Sequence, residues 1–295
     1  MPKAQLHPVR SKRADELMTR APLTLPPEAS LDRAWALIER HGFRHLPVTE
    51  GDDLLGILSD RDLDLATGHL PGDQRDHDAE GRSVATPIAV EQLMRTPVRT
   101  IAPDVAAEEA AAILLEERIG AVPVLRDGHL IGILTESDLI AELASGCSDG
   151  RLGCVCERPV FDFMQRSPTT IGPEATLDEA LERCRQARVR HLPLVQEGRV
   201  RGIVSDRDLR RALGLWCVRD SIAQSEGRMN AEPPALTEVA SRYVVQVEPE
   251  LACWRAAQLM LAHGIGALPV VDEDWLDGIL TRTDLLRAYV NPAGR

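Results

Sequence analysis

At four matching places along the 295 residues a serine or threonine is followed three positions later by an aspartate: Ser59 and Asp62, Thr135 and Asp138, Ser205 and Asp208, Thr281 and Asp284. A hydroxyl and a carboxylate at this spacing support two kinds of chemistry. At a helix start each side chain satisfies a backbone amide that the helix leaves unpaired, the arrangement called a capping box. The same carboxylate can accept hydrogen bonds from ligand hydroxyls, and a hydroxyl at a helix N-terminus can donate to an anion that the helix dipole favours. The residues alone leave both readings open.

An anion also needs cationic partners, and these are unevenly spread. Arg44, His45 and Arg61 surround the first motif, and Arg190, His191 and Arg207 the third, so these two copies are the richer anion candidates. The second and fourth carry small residues instead, Gly120-Ala121 and Gly266-Ala267, which let a flat ring approach the backbone.

Other clusters carry less. Cys147, Cys154 and Cys156, with His129 and Glu157 nearby in sequence, form no recognised zinc spacing and read as a Gly- and Ser-containing linker. Cys184 and Cys253 fall on the apolar faces of their segments and read as buried thiols. His69, Asp73, Asp76, His77 and Asp78 are hard-cation ligands by type, in a stretch that reads as a polar loop.

Composition narrows the partners. The net charge is −12 and only 3% of residues are aromatic. Broad basic surfaces and stacking platforms for nucleic acid are therefore not expected, nor binding to an anionic membrane. No run reaches transmembrane length, the N-terminal stretch lacks an apolar secretory core, and the scattered cysteines suit a reducing cytoplasm.

The motifs are positioned by an internal repeat. Pro47, Pro123, Pro193 and Pro269 are each followed nine residues on by a glycine (Gly56, Gly132, Gly202, Gly278) and six further on by the motif aspartate. Met18, Met94 and Met164 precede their prolines by 29 residues, with Ala240 in the fourth copy. Copy one matches copy three (RHLPV, RHLPL) and copy two matches copy four (IGAVPV, IGALPV), each 146 residues apart, so a pair was the duplicated unit. Within each copy, apolar residues at helical spacing (Leu31, Ala34, Trp35, Ile38 in the first) predict an amphipathic helix. Gly42 and Gly264 suit left-handed caps, and Asp127-Gly128 predicts a hairpin. The expected order is β-α-β-β-α behind a lead-in helix, an α/β (α+β) fold. Repeats are placed at 13–66, 89–143, 159–213 and 236–290, after a tail at 1–12 and with linkers at 67–88, 144–158 and 214–235. A unit of about 55 residues buries little surface, so pairs are the expected folding units.

This layout, M…T-h-x-P…(R)HLPV…GhhS/TxxD, closely resembles the cystathionine β-synthase (CBS) domain, and its four copies cover nearly the whole chain. The resemblance implies two pseudo-symmetric CBS-pair modules whose clefts bind adenosine nucleotides such as AMP, ADP, ATP or S-adenosylmethionine. Four copies in one chain also resemble the nucleotide-sensing subunit of AMP-activated protein kinase. Carried over by position, the ribose-binding aspartate falls on Asp62, Asp138, Asp208 and Asp284, its hydroxyl partner on Ser59, Thr135, Ser205 and Thr281, and an early-strand hydroxyl on Thr24, Thr100 and Thr170. The fourth copy has Gln246 at the last position. One good nucleotide site per pair is expected, with no required cofactor and Mg2+ as an optional companion of a di- or triphosphate. The expected role is regulation of an unidentified partner protein by a homodimer, although a single-chain disc fits equally. A self-association scaffold without ligand is the alternative. An enzyme is not expected, since the chain has no nucleophile elbow, P-loop, Rossmann fingerprint or zincin motif.

Overall fold

A computed structural model describes residues 12–67, 76–77, 83–84, 89–145, 153–225 and 232–291. Repeat 1 runs α1 (Ala14–Leu17), β1 (Thr19–Arg20), α2 (Leu31–His41), β2 (His45–Glu50), β3 (Asp53–Ser59) and α3 (Asp60–Thr67), followed by a small ladder of β4 (Asp76–His77) and β5 (Ser83–Val84). Repeat 2 opens on a 3-10 turn at Val90–Gln92 and continues through α4 (Ala107–Glu117), β6 (Ala121–Arg126), β7 (His129–Thr135) and α5 (Glu136–Ala144). After a short helix α6 (Gly153–Cys156), repeat 3 has a 3-10 turn at Val160–Asp162, β8 (Gln165–Arg166), α7 (Leu177–Ala187), β9 (His191–Gln196), β10 (Arg199–Ser205) and α8 (Asp206–Ser225). Repeat 4 has α9 (Leu236–Val239), α10 (Cys253–Ala262), β11 (Ala267–Asp272), β12 (Trp275–Thr281) and α11 (Arg282–Val290). The fold is mixed α/β with one repeating plan, and α8 runs on into the segment read from sequence as a linker.

The strand expected before the first long helix of each repeat is reduced to a single parallel bridge: Leu25 to Val48, Ile101 to Val124, Ile171 to Leu194 and Val247 to Val270. A proline follows closely each time (Pro26, Pro103, Pro173, Pro249), removing a donor and restricting the residue before it. The proline of the LPV element belongs to this bridge. The carbonyl of Pro47 accepts from the Leu25 amide at 3.0 Å, and Pro123, Pro193 and Pro269 do the same for Ile101, Ile171 and Val247 at 3.1 Å.

Each hairpin carries a register shift beside its conserved-in-repeat glycine, for example between Val48 and Thr49 opposite Gly56. The glycine is required there by close approach. A Cβ on Gly132 would collide with the sulfur of Met18, one on Gly56 with that of Met94, and one on Gly278 with that of Met164. The fourth contact is looser: a Cβ on Gly202 would stand 3.2 Å from the Ser241 carbonyl oxygen and 3.4 Å from Ala240 Cβ. The recurring methionine and glycine of the sequence are thus packing partners, contributed by the two repeats of one tandem pair.

The described residues form two compact units, each discontinuous in sequence. The first takes the described parts of Met1–Ala21, Arg99–Pro168 and Val245–Arg295, the second Pro22–Val98 and Thr169–Val244. Repeats 2 and 4 therefore supply the body of one unit and repeats 1 and 3 that of the other, while each lead-in lies with the other member of its tandem pair. In the first unit a single apolar core runs through both repeats, joining Ala110, Leu114, Ile140 and Leu143 to Ala256, Met260, Leu285 and Leu286. Its sheets are β1-β7-β6 and β8-β12-β11. The second unit holds two separate cores, one around Leu25, Leu46, Leu58 and Leu63 and one around Leu177, Leu192, Leu194 and Leu209. Ion pairs join its two repeats: Arg207 to Asp60 at 2.5 Å, Arg61 to Asp206 at 3.5 Å, and Arg211 to Glu39 at 3.2 Å.

Candidate functional site

All four hydroxyl–carboxylate motifs stand where a hairpin's second strand turns into a helix. Thr135 and Thr281 keep extended backbone angles, so their amides and those of the first helical turn would be unpaired without a side-chain acceptor. The aspartate supplies it. Asp62 Oδ2 accepts from the Ser59 amide at 3.0 Å, Asp138 Oδ2 from Thr135 at 2.8 Å, Asp208 Oδ2 from Ser205 at 3.0 Å and Asp284 Oδ2 from Thr281 at 2.9 Å. In each case the hydroxyl donates to the same oxygen.

The second carboxylate oxygen separates the copies. Asp62 Oδ1 accepts from Arg95 Nε at 3.0 Å and Nη2 at 2.9 Å, and Asp284 Oδ1 accepts from Arg287 Nη1 at 2.9 Å. Among the described residues Oδ1 of Asp138 and of Asp208 has no hydrogen-bond partner. The electrostatics follow the partners. Burial pushes the Asp62 carboxyl up, but the bonds from Arg95 and Ser59 outweigh it and hold the group below the usual range. For Asp138 burial prevails over the two Thr135 bonds, and the carboxyl lies above its ordinary value.

The cationic candidates of repeats 1 and 3 all fall in the second unit. His45 and His191 open β2 and β9 and are partly buried. Burial pushes His45 down to about 4, with Arg44 and Arg207 lowering it further and Asp60 and Asp62 opposing. His191 is likewise pushed down to about 4 by burial, with Arg190 and Arg44 lowering and Asp206 and Asp208 opposing. Arg44 acts on both histidines, and Arg207 of repeat 3 acts on His45 of repeat 1. The Arg44 carbonyl accepts from the Asp60 amide at 3.0 Å and the Arg190 carbonyl from Asp206 at 2.9 Å. Arg61 and Arg207 are engaged in the reciprocal ion pairs with Asp206 and Asp60, so their placement after the hydroxyl serves contact between repeats. In the first unit the matching Gly120 and Gly266 carbonyls accept from Glu136 and Arg282, and Arg282 is buried, reaching the Ile265 carbonyl and the Ser137 hydroxyl.

Thr24, Thr100 and Thr170 are partly buried, each just before the bridging residue of its repeat; Gln246 is exposed. Thr24 and Thr170 lie in the unit of Asp62 and Asp208, Thr100 in that of Asp138. His69, Asp73, Asp78 and Cys147 lie outside the described residues, as do the side chains of Asp76, His77, Cys154 and Cys217. Cys156, Cys184 and Cys253 are buried and outside any disulfide, and burial pushes the Cys184 thiol up to about 11 and Cys253 up to about 12. Among the described residues no group of three His, Cys, Asp or Glu side chains is placed to hold a metal ion, and no helix is long and apolar enough to cross a membrane.

Arg95 and Arg287 were not singled out by sequence reasoning. The available signal was the residue directly after each repeated methionine, which is Thr19, Arg95, Gln165 and Ser241 in turn and so fails to repeat.

The family model of the CBS domain matches residues 14–66, 90–145, 160–215 and 236–291. Protein MJ1225 of Methanocaldococcus jannaschii is 24% identical over 90% of this chain and 95% of its own length. A 33.4 kDa protein from the ribosomal RNA operon of Thermofilum pendens is 30% identical over 90% of this chain and 87% of its own. The crystal structure of MJ1225 superposes with a TM-score of 0.71, covering 94% of this chain and all of that one. A conserved protein of Pyrococcus horikoshii gives 0.63 at 23% identity, covering 94% of this chain and 99% of that one.

Proposed function

Because the chain belongs to the CBS-domain family, with four copies that span most of its length, we propose that it is a regulatory protein that binds an adenosine-containing nucleotide at its hydroxyl–aspartate motifs and passes the occupied state to a partner protein. The observation that carries this reading is the unpaired oxygen of Asp138 and of Asp208. Helix capping uses one carboxylate oxygen, and in these two repeats the other remains available to accept from the two hydroxyls of a ribose. One such group occurs in each tandem pair. The MJ1225 protein, which shares the fold, is described as a candidate archaeal homolog of g-AMPK, and that description agrees with a nucleotide-sensing role.

Ribose contacts define the class AMP, ADP, ATP, S-adenosylmethionine and NAD rather than one member. A di- or triphosphate would bring its own Mg2+, which keeps most of its water and needs no dedicated protein cage. Regulation then requires only that the nucleotide bind one arrangement of the repeats more tightly than another. This role is regulatory rather than catalytic.

Thermal unfolding of ligand-free protein against millimolar AMP, ADP, ATP, S-adenosylmethionine and NAD tests the reading, since a ligand of the native state raises the midpoint. The expected result is a rise with at least one of them that Asp138→Asn and Asp208→Asn together abolish. Midpoints unmoved by all five would leave a scaffold whose motifs are caps alone.

A further inference from the structure

Resting on the nucleotide reading, we infer that Arg95 is a built-in occupant of the first repeat's carboxylate, so that the chain takes ligand at Asp138 and Asp208 and gains a third place only when Arg95 leaves Asp62. The four motifs share one capping geometry and differ in what meets Oδ1. At Asp62 it is Arg95, through two N–H groups on one oxygen. A carboxylate whose Oδ2 is bound to the Ser59 amide and hydroxyl and whose Oδ1 is bound to a guanidinium has no oxygen left for a pair of ribose hydroxyls.

The backbone explains why only this copy is filled from the partner repeat. Each lead-in segment pairs with a strand residue that stands five positions before a motif aspartate. Arg95 exchanges two amide bonds with Ile57, its N–H donating at 2.9 Å and its carbonyl accepting at 3.2 Å. Thr19 pairs in the same way with Ile133, Gln165 with Ile279 and Ser241 with Ile203. The residues in register with Asp138 and Asp208 are therefore Thr19 and Ser241, short hydroxyl side chains without charge. In register with Asp62 is an arginine, long enough to reach and charged to stay. Asp284 is closed by a different route, through Arg287 one turn along its own helix, and is itself buried.

The Arg95 contact is of the kind that can open. Its side chain is 62% exposed while Asp62 is 11% exposed, so the arginine can swing into solvent without loss of packing. An exposed guanidinium is also screened by salt, which weakens its hold as ionic strength rises. Arg95 thus sets a threshold: the first repeat's carboxylate answers to ligand concentrations above those that fill Asp138 and Asp208.

Isothermal titration of the full chain with AMP, and separately with ATP, tests this. The expected stoichiometry is two per chain for the parent protein and three for Arg95→Ala and for Arg95→Met, which keeps the aliphatic stem if the smaller side chain disturbs folding. Adding Asp62→Asn to either should return it to two, and Arg95→Lys should stay near two. Two sites in the parent and still two in both neutral variants would overturn the latch while leaving the nucleotide reading intact. No binding by any of the proteins would remove the nucleotide reading, and the latch with it. Binding by the Arg95 variants alone would support the latch and show that Asp138 and Asp208 are not the open sites.

Discussion

Met18, from the lead-in of repeat 1, lies directly over the bare backbone of Gly132 in repeat 2, leaving no room for a Cβ there. Met94 over Gly56 repeats the contact in the other unit, and Met164 over Gly278 in the second tandem pair. Gly132→Ala is expected to lower stability by about 1–3 kcal/mol, as overpacking a filled core does. Gly202→Ala, facing Ala240 instead of methionine, should cost clearly less. Unfolding midpoints of the two variants decide it, and Met18→Ala with Gly132→Ala should be less harmful than the sum of the singles. Equal losses at positions 132 and 202 would mean that the methionine does not set the limit.

Helix termination gives a gain rather than a loss. The residue after the first long helix is left-handed in three repeats, Gly42 at φ 68°, Arg118 at 56° and Arg188 at 55°, and in the fourth the left-handed residue is Gly264 at 64°, one position beyond His263. Two copies thus place an arginine where glycine fits without strain. Arg188→Gly relieves about 1–2 kcal/mol of left-handed strain, offset by about 0.4–1 kcal/mol of added freedom in the unfolded chain. A net rise in unfolding midpoint is expected for Arg188→Gly and for Arg118→Gly, and a fall for Gly42→Ala. A fall in both arginine variants would show that their side chains hold the cap in place.

Much of this was legible from the residues. Periodicity located the helices because their buried positions, such as Ala34 and Ile38, follow the 3.6-residue repeat, and Asp127-Gly128 announced its turn through the positive φ that both adopt. The motif aspartates were found because capping is local, fixed by a spacing of three. What the sequence withheld is long-range. Nothing in the spacing tells that Arg95 meets Asp62, 33 residues away, or that Arg61 is spent on Asp206. The repeat also hid the alternation of units, because a pair that is adjacent in sequence is bound through its lead-ins while the helix faces meet copies 146 residues apart.

Repeats 1 and 3 depend on charge where repeats 2 and 4 depend on alanine-rich helices. The reciprocal pairs Arg61 with Asp206 and Arg207 with Asp60 join two separate cores, and their carboxylates are mostly buried while the guanidinium groups are about half exposed. Asp60→Asn with Asp206→Asn should therefore lower stability modestly, on the order of 1 kcal/mol per pair at low salt, and the difference from the parent should shrink at high salt. Hydrogen exchange should show the loss in α3 and β9 and not in α4 or α10. A uniform loss across both units would contradict the separation of the cores.

The two histidines in that unit make its stability pH-dependent with a definite sign. His45 and His191 are held near 4 in the fold, chiefly by burial, against about 6.5 in the unfolded chain. Between these values the unfolded chain binds protons that the folded one refuses, so stability falls as pH drops from about 6.5 toward about 4 and is unaffected above that window. Asp62 adds its own loss at lower pH, because its carboxyl is held down in the fold and its contribution disappears as it protonates. Asp60 opposes the shift of His45 and Asp206 that of His191, so converting either to asparagine should lower that histidine's pKa further and extend the loss of stability to lower pH. His45→Gln with His191→Gln should flatten unfolding midpoints between pH 6.5 and 4 while leaving those above pH 7 close to parent, apart from a constant packing offset. A parent profile that is flat through this range, or a slope that survives the double substitution, would place the titrating groups elsewhere.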